Sequence, residues 1–207
     1  MKLEPTVFVV DDDQDVRRSL KWLIESVNLR VSTFSSARKF LDAYNPATPG
    51  CLVLDVRMPS MSGVELQEKL VEERIPIPIV FITAHGDVSM AVRAVQCGAV
   101  DFVEKPFNDQ ILLDRIRVAM DVDAQRRREQ ARHAETAKRL NLLSRREREV
   151  LDMVVAGMTS KAIAIRLGIT RKTVDAHRSN VMRKLEVESI PEVVQMALAD
   201  KASRQFP

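Results

Sequence analysis

Five polar side chains fall where short apolar runs end. Asp11 and Asp12 follow Thr6–Val10 (TVFVV), and Asp55 follows Cys51–Leu54 (CLVL). Thr83 closes Ile79–Thr83 (IVFIT), and Lys105 comes just after Asp101–Val103. Runs of this length, bounded by turn residues, read as strands buried on both faces, as in a parallel sheet covered by helices. In a doubly wound sheet the carboxyl ends of neighbouring strands open on one crevice, so the five groups can converge. Clustered carboxylates do not all ionise in a confined space without a cation. Oxygen-only, partly hydrated donors suit Mg²⁺ better than a transition metal. A cation beside one lone acid, with a hydroxyl and an ammonium nearby, is a constellation for phosphoryl transfer to Asp55. Asp13 reads equally as a helix cap. Arg57 stands two residues past Asp55, where a haloacid-dehalogenase-type phosphatase needs a general acid, and a guanidinium cannot donate that proton.

The elements that must hold these groups alternate along the chain. After the first strand comes a helix with Val16, Leu20, Leu23, Ile24 and Val27 on its apolar stripe. Val31–Phe34 is a short strand and Ala37–Tyr44 a short helix. Ser62-Gly63-Val64-Glu65 has the spacing of a capping box and starts a helix carrying Leu66 and Leu70. Asp87 is placed as the cap of a helix over Val88–Cys97 that stops at Gly98, and Asn108 as the cap of one beginning at Asp109. Five strands alternating with five helices give a (βα)5 order and an α/β, doubly wound, five-stranded parallel sheet over residues 1–120.

Residues 121–139 are rich in Ala, Gln, Glu and Arg and hold no Gly or Pro. This composition predicts a solvated helical linker, with pairing to a second copy as the less favoured alternative. Residues 140–207 read as an all-α domain of four helices. Ser144-Arg145-Arg146-Glu147 is a second capping box, and Thr159 starts a short helix ending at Gly168. Thr170 caps a longer helix over Arg171–Leu185, and a fourth starts at Ser189 with Pro191 in its first turn. The short helix, the turn at Gly168-Ile169 and the longer helix make a helix-turn-helix. In the longer helix Arg171, Lys172, His177, Arg178, Arg183 and Lys184 accompany a single acid, Asp175.

The charge balance agrees with two partners. Residues 1–120 carry 14 basic and 17 acidic side chains, and residues 139–207 carry 13 and 8, so net charges of −3 and +5 sit at the two ends. The tail is therefore the candidate for a polyanion. No apolar run approaches the roughly 20 residues of a bilayer span, and no basic-then-apolar leader opens the chain. Cys51 and Cys97 are isolated in apolar settings, which suits small core residues in a reducing cytoplasm. The expectation is a cytoplasmic protein with no membrane partner.

With VVDDD, LDVRMPSMSG, FITAHGD and DFVEKPF in order, residues 4–120 resemble the receiver domain of two-component response regulators, and MPSMSGVEL and ITAHGDVSMAV are most similar to the FixJ branch. LSRREREVLDMVVAGMTSKAIAIRLGITRKTVDAHRSNVMRKL resembles the LuxR/NarL/FixJ-type DNA-binding domain. The resemblance implies that Asp55 is the phosphoacceptor, served by a sensor histidine kinase. It implies that Asp11, Asp12, Asp55 and the backbone carbonyl of Arg57 hold Mg²⁺. Thr83 and Phe102 match the switch hydroxyl and switch aromatic, Lys105 matches the family lysine, and Lys105-Pro106 matches a bond commonly cis there. His85 falls where the family varies. In the second domain the implied contacts to double-stranded promoter DNA are Ser160, Lys161, Thr170, Arg171, Lys172, Thr173, His177, Arg178 and Lys184. Thr159-Ser160-Lys161 departs from the commoner Ser-Asn-Lys, although a serine hydroxyl can still donate to a phosphate. The implied function is a non-enzymatic transcription factor that forms a homodimer when phosphorylated, dimerising through the helix-four/strand-five face (Val88–Val103), and meets RNA polymerase at the promoter. The weighed alternatives are a phosphorylation-independent DNA-binding regulator, an RNA-binding antiterminator and a Mg²⁺-dependent phosphatase.

Overall fold

Strands buried on both faces need apolar side chains at nearly every position, and the three central strands of the sheet have them. A computed structural model of the protein describes residues 3–83 and 98–205. Five strands, β1 (Thr6–Val10), β2 (Arg30–Phe34), β3 (Gly50–Asp55), β4 (Ile79–Thr83) and β5 (Asp101–Glu104), form one sheet in the order β2-β1-β3-β4-β5. All four pairings are parallel. β1, β3 and β4 are buried at every position, as their unbroken apolar runs require, while β2 at the edge is only half-buried. Successive side chains point to opposite faces, so the sheet separates two cores. Phe8, Phe40, Leu54, Leu66 and Phe81 lie in one, and Val9, Ile24, Val53, Ile82 and Ile116 in the other.

The helices begin where their caps predict. Asp13 caps α1 (Gln14–Glu25), its Oδ1 accepting from Asp15 N at 2.8 Å and Val16 N at 3.3 Å. Asp13 is thus a cap and not a member of the crevice. α2 spans Ala37–Ala43, and the Ser62–Glu65 capping box opens α3 (Gly63–Glu72). The helix expected over Val88–Cys97, its cap Asp87, and His85 lie outside the described residues. Asn108 accepts from Gln110 N at 2.8 Å and opens α4 (Asp109–Asn141), which runs unbroken through the segment read as a linker.

The chain divides into two compact units, up to Arg127 and from Arg128. The boundary falls inside α4. The second unit packs α5 (Arg145–Val155), α6 (Ser160–Leu167), α7 (Arg171–Leu185) and α8 (Ile190–Gln205). Val150, Val154, Ile163 and Val174 form one cluster, and Leu140, Leu151, Val181, Leu185 and Val193 another. Among the described residues no helix is long and apolar enough to cross a membrane.

Candidate functional site

Parallel pairing of β1, β3, β4 and β5 brings their carboxyl ends to one edge. Asp55 ends β3 opposite Ile82 of β4, and Thr83 ends β4 opposite Glu104 of β5. Asp11 is 1% exposed and Asp55 7%. The Lys105 ammonium lies between them, donating to Asp11 Oδ2 at 2.9 Å and Asp55 Oδ1 at 3.0 Å. The other Asp55 oxygen accepts from Arg57 N at 2.8 Å, and Asp11 Oδ1 accepts from Asp13 N at 2.8 Å. Lys105 N donates to the carbonyl of buried Thr83 at 2.6 Å, and the Lys105–Pro106 bond is cis. Phe102 pairs with Phe81 across β4 and β5 and packs half-buried against the Phe8/Phe81 core.

The electrostatics follow from this sharing. Burial raises the Asp55 pKa above its ordinary range; the Asp11 carboxylate adds to that, and the Lys105 and Arg57 hydrogen bonds only partly offset it. Burial works against the Lys105 charge, but its bonds to Asp11 and Asp55 outweigh that and hold the ammonium above its ordinary value. Two carboxylates therefore share one cation.

Asp12 takes a different place from Asp11. It is exposed and lines an open cleft of about 730 Å³ with Arg57, Met58, Pro59, Ser62 and Glu65. Among the described residues no three His, Cys, Asp or Glu side chains close around a metal position. The oxygen donors of Asp11 and Asp55, with Asp12 at the mouth, nonetheless fit a hard cation that keeps several waters.

Two residues that pattern reading did not single out also shape the crevice. Arg17 Nη1 donates to the Asp11 carbonyl at 2.8 Å. Its only sequence signal is its place in the first turn after the acidic strand end. Gly63 lies so close to β3 that a Cβ there would sit 2.3 Å from the Asp55 carbonyl oxygen. The turn from Asp55 to α3 can be this tight only without a side chain.

In the second unit Thr159 caps α6, Gly168 ends it in the left-handed conformation, and Thr170 caps α7 two residues later. Lys161, Thr170, Arg171, Lys172 and Thr173 are exposed, and Arg171 reaches Asp175 at 3.8 Å. Thr170 and Thr173 share a hydrogen bond of 2.8 Å between their hydroxyls. Ser160 is buried and accepts from Arg178 Nη1 at 2.6 Å, so these two tie α6 to α7. His177 is half-buried. Lys184 has its ammonium engaged within the unit, with buried Glu147 at 2.7 Å and with the Leu142 carbonyl at 3.1 Å. It holds α7 to α5.

A parallel sheet with a buried acid–lysine cluster at its strand ends, followed by a capped helix-turn-helix, defines a phosphorelay receiver joined to a DNA-binding output. Residues 7–117 match the response regulator receiver domain, and residues 141–197 match the bacterial regulatory proteins of the luxR family. The transcriptional regulatory protein TdiR of Thauera aromatica is 46% identical over 93% of this chain and 85% of its own length. The transcriptional regulatory protein FixJ of Azorhizobium caulinodans is 45% identical over 93% and 91%. Among solved structures, the response regulator StyR is 46% identical over 94% of this chain and 98% of that one, with a TM-score of 0.85. The chain belongs to the response regulator family, in its FixJ-like branch.

Proposed function

We propose that Asp55 accepts a phosphoryl group from a partner sensor histidine kinase, and that its phosphorylation drives homodimerisation and binding to promoter DNA. The observation that carries this reading is the Lys105 ammonium shared by Asp11 and Asp55 at the ends of three strands. An Asp55 oxygen attacks phosphorus, the P–N bond to the donor histidine breaks, and its electron pair leaves on the imidazole. Asp11, Asp12, Asp55 and the Arg57 carbonyl would hold Mg²⁺, which when bound offsets charge on the phosphoryl oxygens. Lys105, held between Asp11 and Asp55, would offset the same charge and keep contact with the acquired phosphate.

The switch follows from burial. Phosphorylation replaces the single Asp55 carboxylate charge with a phosphoryl group carrying roughly two, a net gain of about one, beside Thr83, whose hydroxyl turns toward the new oxygens. Phe102, half-buried one strand away, fills the space behind Thr83. This is a shift between two populated states and not a new fold. Two DNA-binding domains then engage paired half-sites through Lys161, Thr170, Arg171, Lys172 and Thr173, with Arg178, Ser160 and His177 at the helix junction. The bound dimer acts on RNA polymerase, and the protein works in the cytoplasm. Full-length protein should take up phosphate from acetyl phosphate and Mg²⁺, and its DNA affinity should rise on uptake; Asp55→Asn should lose both. An Asp55→Asn protein that still gains affinity on treatment would sink the reading in favour of a phosphorylation-independent regulator.

A further inference from the structure

A second cluster of buried charge lies at the other end of β3. Gly50 opens that strand with φ +151°, where a Cβ would sit 1.8 Å from the Thr6 carbonyl oxygen, so only backbone fits. Its N–H donates to Asp123 Oδ2 at 2.8 Å, across 73 residues of sequence. Asp123 is buried on α4 and also accepts from Arg127 Nε at 2.7 Å and from Arg126 Nη2. The Arg127 guanidinium then donates to three consecutive carbonyls, those of Pro46 at 2.9 Å, Ala47 at 3.2 Å and Thr48 at 2.8 Å.

Asp123 and Arg127 are one turn apart and so share a helix face. A carboxylate only accepts and a guanidinium only donates. Together they satisfy an N–H and three carbonyls of the loop that leads into the acceptor strand. A buried acid is expensive unless paired and hydrogen-bonded, and the linker composition does not call for one. The position is also specific, because the first compact unit ends at Arg127 while α4 continues to Asn141. Without such a grip these turns would be free to lift from the loop that leads into β3.

We propose that Asp123 and Arg127 are a clamp that fixes the direction and rotation of the connecting helix on the receiver. Through it the state of Asp55 reaches the DNA-binding domain along a helix and not through a loose tether. The inference rests on the phosphorylation-dependent reading above. The clamp touches neither Asp55 nor the DNA-facing residues, so releasing it should separate phosphorylation from output.

The test uses the full-length chain with Asp123→Asn and Arg127→Gln, and Arg127→Lys as the conservative variant. Three quantities are measured: phosphoryl uptake from acetyl phosphate, hydrogen exchange at Gly50 and over residues 120–130, and the DNA affinity ratio with and without beryllofluoride. Uptake should stay within about two-fold of wild type, and exchange at these amides should rise about ten-fold or more. The affinity ratio should fall about five-fold or more in Arg127→Gln, and less in Arg127→Lys, which keeps the charge but loses the fork. Faster exchange with an unchanged ratio would reduce the pair to a loop staple and overturn the proposal. Unchanged exchange, or lost uptake, would overturn it too. Should Asp123→Asn not fold, Arg127→Gln decides alone, since its side chain is at the rim. A wild-type ratio of about one would instead refute the underlying reading, an outcome the exchange data distinguish.

Discussion

Each unit contains a half-buried lysine set against buried carboxylate, and the two are arranged differently. Lys105 is shared by Asp11 and Asp55, while Lys184 serves Glu147 alone. Burial raises the pKa of both acids. At Asp55 it prevails, so the pKa lies above the ordinary 3.8. At Glu147 the Lys184 ammonium, with the Ser144 N–H and hydroxyl, outweighs it and the pKa falls below 4.5. Each carboxylate accepts from one ammonium and one backbone N–H, but Asp55 shares its cation with Asp11 beside an open cleft. Glu147 has its cation to itself and closes a helix junction. A lysine beside carboxylate thus makes a shared cluster or a one-to-one staple according to how many acids hold the cation.

The largest expected effect separates the two by stability. Glu147→Gln leaves the buried end of Lys184 without its counter-charge, and should cost about 2 kcal/mol, below the usual cost of breaking a buried pair because Lys184 is partly exposed. Asp55→Asn should cost nothing at neutral pH. A folded pKa above the unfolded value means stability present at low pH and lost as pH rises through the folded value. The ionised Asp55 is therefore a burden that Asn removes. Urea unfolding of full-length protein, followed by hydrogen exchange in each unit, measures both. Equal losses in the two variants would erase the distinction.

That distinction also marks where sequence reading stops. The meeting of Asp11, Asp55 and Lys105 was legible because each lies at or just past the end of a strand-like run, and parallel pairing brings those ends together. Ser62, Ser144, Thr159 and Thr170 were legible as caps because capping is local. The Glu147 partner of Lys184 was not legible, because a basic residue on a recognition helix looks the same whether it faces DNA or an acid 37 residues earlier. Ser160 and Arg178 were expected at the phosphates, yet each is the other's partner. Arg17 and Asp123 were missed because each reaches a backbone group, the Asp11 carbonyl and the Gly50 N–H, and backbone groups carry no pattern.

A smaller effect tests the reassignment of Lys184 directly. Lys172 is exposed at the start of α7. Lys172→Ala should lower the slope of log affinity against log salt by about one, the signature of one lost phosphate contact. Lys184→Met should leave the slope unchanged at temperatures where the unit is folded, although it lowers that unit's stability. Titrations of operator DNA at several salt concentrations supply both slopes. A drop for Lys184→Met as large as for Lys172→Ala would return Lys184 to the DNA face.

The smallest effect is in pH, and its sign differs between the units. Glu147 has a folded pKa below its unfolded value, so its contribution is present above the ordinary 4.5 and is lost as pH falls through the folded value. Asp55 acts in the reverse sense, since its protonated form is the one favoured by burial. Acidification from neutral pH to about pH 3.5 should therefore weaken the helical unit more than loss of its other ion pairs explains. Most of those pairs are exposed i,i+3 or i,i+4 contacts of little weight, such as Arg145–Glu149. In Glu147→Gln this part of the pH slope should vanish, whereas Asp55→Asn should leave it untouched and remove a cost only at the neutral end. Urea midpoints of the helical unit across that range measure the slope. An unchanged slope in Glu147→Gln would show that Ser144 and Lys184 do not hold Glu147 ionised, and the contrast between the two lysines would then rest on geometry alone.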